Sequence, residues 1–153
     1  MTIETNTDIE TIEVDDIDER KSALAAYLSI DIDDIEQSTY DDNQFEVGNS
    51  EYLVLTDSEA DERVKSYIKD SLWAFNPSFL ASETGIDQDV YDAIVKNDKC
   101  ESNNDAMLSL VESTCGLDDL VESVISADGR GHFMSSYDGN EGEQGEWFIY
   151  RTN

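Results

Sequence analysis

The chain has 153 residues, of which 37 are Asp or Glu and nine are Lys or Arg, so its formal net charge at pH 7 is −28. This length fits one domain, and a content of 39% hydrophobic residues is enough to build a core. The charge excludes direct binding to nucleic acid, because a phosphate backbone requires a basic surface, and it disfavours any anionic membrane surface.

The first residues of the sequence predict no targeting signal. MTIETNTDIETIEVDD contains neither the basic start nor the apolar run of a signal peptide. No apolar stretch is long enough to cross a membrane. The two cysteines, Cys100 and Cys115, are too few for a disulfide framework, and we expect both to be small buried side chains in a reducing compartment. These features predict a cytoplasmic protein.

The N-terminal third begins with a segment for which two alternatives are predicted and continues into a helix. Residues 1–14 alternate Ile with Glu, which is typical of an edge strand or of a disordered segment, and residues 15–153 are expected to form a single acidic domain. A helix is predicted over residues 15–30, with Asp15 or Asp16 as its N-cap. A short helical turn follows over residues 33–37. The apolar face of the helix contains Ala23, Leu24, Tyr27 and Leu28.

The middle of the chain carries its two strongest local signals. In NQFEVGNSEYLVLT, two runs rich in β-forming residues are joined by Gly48-Asn49, which predicts a β-hairpin. Thr56 and Glu59 have the spacing of a capping box, which predicts the start of a helix over residues 56–76. Pro77 marks either the end of that helix or the first turn of another. The apolar stripe of this helix contains Val64, Tyr67, Ile68, Leu72 and Phe75.

The C-terminal half predicts three more helices and a second hairpin. The helices lie over residues 88–97, over residues 104–114 ending at Gly116, and over residues 117–126 ending near Gly129. Two β-rich runs, His132–Tyr137 and Trp147–Arg151, flank a Gly- and Glu-rich loop. The expected fold is α+β: a small antiparallel sheet of two hairpins with four to five helices packed on one face.

No motif points to catalysis, a metal or a cofactor. Acidic loops starting at Asp31 and Asp138 lack the glycine required at position 6 of an EF-hand loop, although an irregular calcium site stays open. The single His132 and two cysteines without CxxC spacing are a poor set of zinc ligands. His132 lies near Ser135 in sequence, but a catalytic triad is defined by geometry. Glycine motifs that bind phosphate are absent. We therefore predict a protein that is not an enzyme and has no cofactor.

The distribution of charge is the most informative feature of the sequence. Residues 22–62 contain twelve carboxylates and no basic residue, and residues 100–129 contain seven more without one. On the longest helix, by contrast, Asp61 and Lys65 have the i,i+4 spacing of an ion pair. Blocks of like charge are often disordered, but here Ile and aromatic residues are interleaved with the acids, which favours a folded acidic surface.

A folded surface of this density resembles that of small acidic, cysteine-poor inhibitors encoded by phages and plasmids, which mimic DNA and block restriction enzymes or CRISPR effectors. The last quarter, DGRGHFMSSYDGNEGEQGEWFIYRTN, is also similar to the ends of small phage proteins. The resemblance implies a non-enzymatic anti-restriction or anti-CRISPR protein. Its partner would be the basic nucleic-acid channel of a host defence nuclease or effector, in the host cytoplasm. It implies no direct contact with nucleic acid or membrane, and a homodimer is compatible with it.

Three groups of carboxylates are the candidate residues for binding such a partner. Aromatic residues near them (Tyr40, Phe45, Tyr52, Tyr137 and Trp147) are candidate interface anchors, although more than half are expected in the core. The carboxylates are Asp31, Asp33, Asp34, Glu36, Asp41, Asp42, Glu46 and Glu51 in the first group, Asp118, Asp119 and Glu122 in the second, and Glu141, Glu143 and Glu146 in the third.

Three alternatives stay open at this point. A halophile-type housekeeping protein would spread its acids evenly over the surface. A small enzyme would use His132 with a neighbouring carboxylate. An acidic adaptor would bind a basic partner with which nucleic acid does not compete.

Self-repulsion at this net charge must lower stability when little salt is present. We expect the unfolding temperature to rise by about 5 °C or more between about 0.01 M and about 0.5 M NaCl, because the Debye length shortens from about 30 Å to a few Å. Differential scanning fluorimetry measures this. An unfolding temperature that does not change with salt would contradict the expectation.

Overall fold

The computed structural model describes residues 16–96 and 100–153. The strand or disorder predicted over residues 1–14 therefore lies outside the described residues. The chain divides into two compact units: the described residues up to Ala60 join Arg130–Asn153 in the first, and Asp61–Gly129 form the second. The single domain predicted over residues 15–153 stays a prediction, and the two units are described in turn.

The first unit contains a five-stranded antiparallel sheet. Its strands lie in the order β1-β2-β3-β5-β4. The predicted first hairpin is confirmed, because Val47 pairs with Ser50 across the two-residue turn that begins at Gly48, where φ is 60°. The strands are β1 (Glu36–Gln37), β2 (Gln44–Val47), β3 (Ser50–Leu55), β4 (Gly142–Gln144) and β5 (Trp147–Arg151).

The first helix, α1 over residues 16–28, packs its apolar face on this sheet. Leu24 is fully buried in a cluster with Phe45, Val54 and Ile149, which come from three different strands. These three residues share one sheet face because the register places Val54 opposite Ile149, and Phe45 opposite the neighbouring core residue Tyr52. Burial of this face against α1 is the main apolar contact described for the first unit.

The predicted strand over His132–Tyr137 is wrong. Residues Arg130–Met134 form a short helix, α7. The first strand of the second hairpin is instead β4, which pairs with β5 across a tight turn at Gly145 and Glu146. A Cβ on Gly131 would lie 2.4 Å from the Gly139 carbonyl oxygen, so only glycine allows α7 to approach this loop. A two-residue turn also needs positive φ, which Gly145 supplies at 62°.

The turn predicted over residues 33–37 is shifted. A single 3-10 turn covers Ile32–Asp34, and the Asp31 side chain caps it by accepting a hydrogen bond from the Asp33 N–H at 3.0 Å. Ile35 then adopts extended backbone and is buried in the core, which ends the turn. Glu36–Gln37 consequently form strand β1, which the sequence did not predict.

The capping box at the start of α2 (Asp57–Ser71) is confirmed. The Glu59 carboxylate accepts from the Thr56 N–H at 2.8 Å, and the Thr56 hydroxyl accepts from the Glu59 N–H at 3.2 Å. The regular helix ends earlier than predicted, because Leu72–Ala74 tighten into a 3-10 turn. Pro77 then begins the next helix, with Asn76 as its N-cap.

The second unit consists of the remainder of α2 from Asp61 and four further helices. Gly116 and Gly129 flank the last of them, as predicted. Cys100 is exposed and Cys115 half-buried, so the prediction that both are buried is wrong. Among the described residues, no helix combines the length and apolar composition needed to cross a bilayer. The four helices are α3 (Pro77–Thr84), α4 (Gln88–Val95), α5 (Asn104–Glu112) and α6 (Leu117–Asp128).

The predicted α+β class is confirmed. The described residues contain seven helices, more than the four or five expected, because α3 and α7 add to the predicted set.

Candidate acidic interface

Three glutamates form a ladder across strands β1, β2 and β3. Glu36 is directly opposite Glu46, and Glu46 is directly opposite Glu51. Directly opposite residues lie on the same sheet face with Cβ atoms about 4.5–5.5 Å apart. We call these three residues the acidic ladder. It brings together candidates that are up to fifteen positions apart in the sequence.

Repulsion among the three glutamates of the acidic ladder destabilises the sheet that carries them. Like charges directly opposite on neighbouring strands are destabilising, and no basic residue takes part in the described pairings of these three. Gln44 supplies some relief, because its Nε2 donates to Glu51 Oε2 at 2.9 Å. Glu36 is exposed, and Glu46 and Glu51 are half-buried. A cation from outside the chain would therefore remove repulsion that the fold leaves in place.

Five more candidates flank β1 in the chain. The 3-10 turn before it carries Asp31, Asp33 and Asp34, which are all exposed. The loop after it carries Asp41 and Asp42, and Asp41 Oδ1 accepts from the Asn43 N–H at 2.9 Å. We call these five aspartates the acidic loops. Together with the acidic ladder they contain the whole first group of candidates, all within the first unit.

The aromatic candidates divide between surface and core. Tyr40, in the loop that carries Asp41, is 96% exposed, and Tyr137 is 57% exposed. Phe45 and Tyr52 are buried in the core of the first unit. Trp147 is half-buried beneath an arginine of α1. Only the two tyrosines at the surface are therefore available as anchors without a change in the core.

That arginine, Arg20, is the first of two basic residues buried in the first unit, where it is only 4% exposed. Its Nη1 and Nη2 donate to the two oxygens of Glu59 at 2.7 and 2.8 Å, and Nη1 also donates to the Val54 carbonyl at 2.7 Å. Its Nε donates to Asp16 at 3.0 Å, and its guanidinium lies 4.5 Å from the centroid of the Trp147 ring. Arg20 therefore donates four hydrogen bonds to groups of the first unit.

The Glu59 carboxylate is held in its charged form by these contacts. Burial alone would raise its pKa, but hydrogen bonds from Arg20 and from the Thr56 N–H outweigh burial and hold the pKa of Glu59 below its usual value. One side chain therefore completes both the capping box of α2 and the ion pair to α1.

Arg130 is the second buried arginine. It donates to Asp57 Oδ1 and to Glu141 Oε2, both at 2.8 Å, and its guanidinium lies 4.5 Å from the centroid of the Phe148 ring. The Tyr150 hydroxyl also donates to Glu141. Burial by itself lowers the pKa of Arg130, but the hydrogen bonds that it donates to Glu141 and Asp57 leave its pKa raised. Glu141 is therefore the ion-pair partner of a buried arginine, and its carboxylate is engaged within the first unit.

The basic side chains of the first unit are thus used largely inside it. Residues 16–60 and 130–153 contain seventeen carboxylates and four basic residues. Besides Arg20 and Arg130, Arg151 lies 3.6 Å from the centroid of the Tyr137 ring, and its Nη2 donates to Ser50 Oγ at 2.9 Å. Three of the four basic residues of this unit are therefore engaged by other groups within it.

The remaining candidates lie elsewhere. Asp118, Asp119 and Glu122 lie on α6 in the second unit, and all three are exposed. Lys65 Nζ lies 2.7 Å from Asp118 Oδ1, which the sequence did not predict, and the i,i+4 pair of Lys65 with Asp61 stays a prediction. Glu143 in β4 and Glu146 in the following turn are exposed residues of the first unit.

The polar residues that follow His132 in sequence bind one another and the backbone. His132 is exposed on α7, and its ring stands edge-on to that of Phe133 with 4.9 Å between centroids. The buried Ser135 hydroxyl lies 2.6 Å from the Arg151 carbonyl oxygen and 2.8 Å from Asp138 Oδ1. Hydrogen bonds from the Asn140 N–H and from Ser135 lower the pKa of Asp138. Ser135 and Asp138 therefore form a structural turn.

Within residues 16–96 and 100–153, no group of three or more His, Cys, Asp and Glu side chains is arranged to hold a metal ion. Comparison of the chain with known protein families, curated proteins and solved structures gives no match.

Sequence reasoning missed the two buried arginines. A signal for Arg20 was present, since it precedes Leu24 by four positions and so lies on the apolar face of α1. For Arg130 the sequence offers only the two flanking glycines, Gly129 and Gly131. The partners of both arginines are distant in sequence and were not predictable from local patterns.

Replacing Arg20 with Ala should destabilise the protein by about 3 kcal/mol, because it removes the charged partner of the half-buried Glu59 and a donor to the Val54 carbonyl. Urea unfolding followed by circular dichroism measures the difference. Lys21→Ala, at the neighbouring half-buried position, is the matched control and should change stability by less than about 0.5 kcal/mol. Equal effects of the two changes would contradict the role assigned to Arg20.

The lowered pKa of Glu59 predicts a contribution to stability that depends on pH. The contribution is fully present above the unfolded-state pKa of about 4.3 and is lost as the pH falls through the lower folded-state value. We expect the stability difference between the wild type and Glu59→Gln to shrink as the pH falls below about 4. Urea unfolding at graded pH measures this, and Glu19→Gln, at an exposed position of α1, is the control whose curve should run parallel to the wild type.

Proposed function

We propose that this protein is a non-enzymatic inhibitor that imitates nucleic acid and occupies the basic channel of a host defence nuclease or CRISPR effector. The single observation that carries the proposal is the acidic ladder, with the acidic loops beside it, in a unit whose arginines are held by internal contacts. The protein would act in the cytoplasm of the host cell.

The spacing of the ladder supports imitation of a phosphate backbone. Neighbouring strands lie about 4.8 Å apart, so the three glutamates place one negative charge about every 4.8 Å across the sheet. One strand of a duplex carries a phosphate about every 3.4 Å along the axis. The two charge densities are of the same order, and the ladder stands on hydrogen-bonded strands that hold it in place.

The repulsion that remains among the glutamates of the acidic ladder favours a cationic partner. A basic channel would neutralise Glu36, Glu46 and Glu51 together, and long-range attraction would speed the encounter. Tyr40, almost fully exposed beside Asp41, supplies an aromatic side chain of the kind that is enriched at interface hot spots. The complex should therefore form quickly and weaken as salt is added.

The partner is best sought by a pull-down of the tagged protein from host lysate, washed at graded salt with and without duplex DNA. Retention of a nuclease or CRISPR effector that duplex DNA displaces would support the proposal. A retained basic protein that DNA does not displace would instead support the acidic adaptor. Retention of no basic protein at any salt would overturn the assignment of a basic partner.

Charge reversal within the first group of candidates should abolish binding without unfolding the protein. The test variant combines Asp33→Lys, Glu36→Lys and Asp42→Lys, which are all exposed positions. We expect affinity for the captured target to fall at least about a hundredfold, since each lost contact becomes a repulsion.

The control for this variant combines Asp92→Lys, Glu101→Lys and Asp128→Lys, which make the same change in net charge at exposed positions of the second unit. Binding should be nearly retained, and far-UV circular dichroism should show both variants folded. An equal loss in the two variants would show that net charge alone, and not the first group of candidates, determines binding.

A further inference from the structure

The second unit contains a groove of about 390 Å³ between α2 and α6. This volume lies within the range of about 300–1,000 Å³ that is usual for small-molecule sites. Part of its lining is apolar, from Val121 and Ile125 of α6. Val121 is almost fully buried, so this part of the lining is fixed by the packing of α6. The groove can therefore contact hydrocarbon.

The rest of the lining is strongly acidic. Asp61 and Glu62 contribute from α2, and Asp118 and Glu122 contribute from α6, so carboxylates lie on both walls. Lys65 is the one basic residue among those that line it. Anions are disfavoured here by charge. The complementary ligand is a cation whose charged groups are separated by methylene groups.

The side chain of Lys65 is an example of an alkylammonium group bound in this groove. Its ammonium lies 2.7 Å from Asp118 Oδ1, at one wall. The hydrogen bond with Asp118, with additional contributions from the charges of Glu62 and Glu112, raises the pKa of Lys65. The chain thus already places a primary ammonium, on a four-carbon stem, against a carboxylate of the groove.

We propose that this groove binds a linear aliphatic polyamine of the spermidine class. Its ammonium groups would bind the carboxylates of Glu62 and Glu122 on the opposite walls, and its methylene segments would contact Val121 and Ile125. All lining residues belong to the second unit, so this site does not depend on the acidic ladder or on the proposed function.

The apolar lining distinguishes this ligand from an inorganic cation. Mg²⁺ keeps much of its hydration shell and gains nothing from contact with Val121 or Ile125. A polyamine buries methylene surface there, and each buried methylene is favourable. A polyamine should therefore bind more tightly than its electrostatic attraction to the whole protein predicts.

The first test is isothermal titration calorimetry with spermidine at about 0.15 M NaCl, where long-range attraction is screened. Glu122→Gln removes one carboxylate from the groove and should weaken binding about tenfold. Glu101→Gln makes the same chemical change at an exposed position outside the groove and should change binding less than about twofold. Equal losses in both variants would overturn the proposal, because they would indicate general attraction to a negative protein.

The second test is a gain of binding, which misfolding cannot imitate. Lys65→Gln frees Asp118 and the space near it, so spermidine should bind about fivefold more tightly. Lys69→Gln, an exposed position of α2 outside the groove, makes the same change in charge and should have a much smaller effect. If Lys65→Gln and Lys69→Gln strengthen binding equally, the groove is not the site.

The third test addresses the apolar lining. Ile125→Ala should weaken spermidine several-fold and leave Mg²⁺ binding unchanged, since only the polyamine contacts the side chain. Amide chemical shifts should change around α2 and α6 when spermidine is added. Shifts spread evenly over all acidic segments, or an equal effect of Ile125→Ala on both cations, would overturn the proposal.

Discussion

The ion pair between Arg20 and Glu59 is the contact on which the first unit depends. It connects α1 to the start of α2, and the same guanidinium binds the Val54 carbonyl of β3 and covers Trp147 of β5. A buried guanidinium that loses a partner is strongly unfavourable, so these four elements must be placed together. The helix start, the sheet and the helix on its core face therefore form one interdependent arrangement.

This use of arginine also determines the character of the surface. A protein with few basic residues could spread them over its exterior to reduce repulsion among its carboxylates. Here Arg20, Arg130 and Arg151 are held by hydrogen-bond acceptors and aromatic rings of the same unit. Repulsion on the exterior is left in place, and the interior gains specific contacts. An acidic surface with such repulsion is suited to binding a positively charged partner.

Local signals in the sequence were sufficient for several elements and insufficient for others. The hairpin turn at Gly48 and the capping box of Thr56 and Glu59 were predictable because each depends on residues within a few positions of each other. Strand β4 was not predictable, because Gly-Glu-Gln contains no β-forming residue and becomes a strand through pairing with β5. Tertiary pairing determined its structure.

The candidate interface was also only partly predictable from local sequence. Its acidic residues were evident from composition, but their alignment depends on register. Glu36 meets Glu46 only because residues 36–37 form a strand rather than the predicted helical turn. Glu141 could not be separated from Glu143 by sequence, although Glu141 accepts hydrogen bonds from Arg130 and Tyr150, and Glu143 lies opposite Phe148 on β4. The charge pattern of the sequence predicts an acidic surface, and the strand register and side-chain contacts determine which carboxylates form it.

The pairing of β3 with β5 has a consequence for how the chain folds as it is synthesised. Tyr52 pairs with Arg151 across roughly 100 residues, and β5 lies between β3 and β4 within the sheet. The whole of Asp61–Gly129 therefore leaves the ribosome before the strand that completes the sheet does. During that interval β3 has an unpaired edge, and its four buried residues have no partner strand on that side. The charged residues of the emerging chain, which repel one another and other copies, would protect this edge from aggregation until β5 arrives.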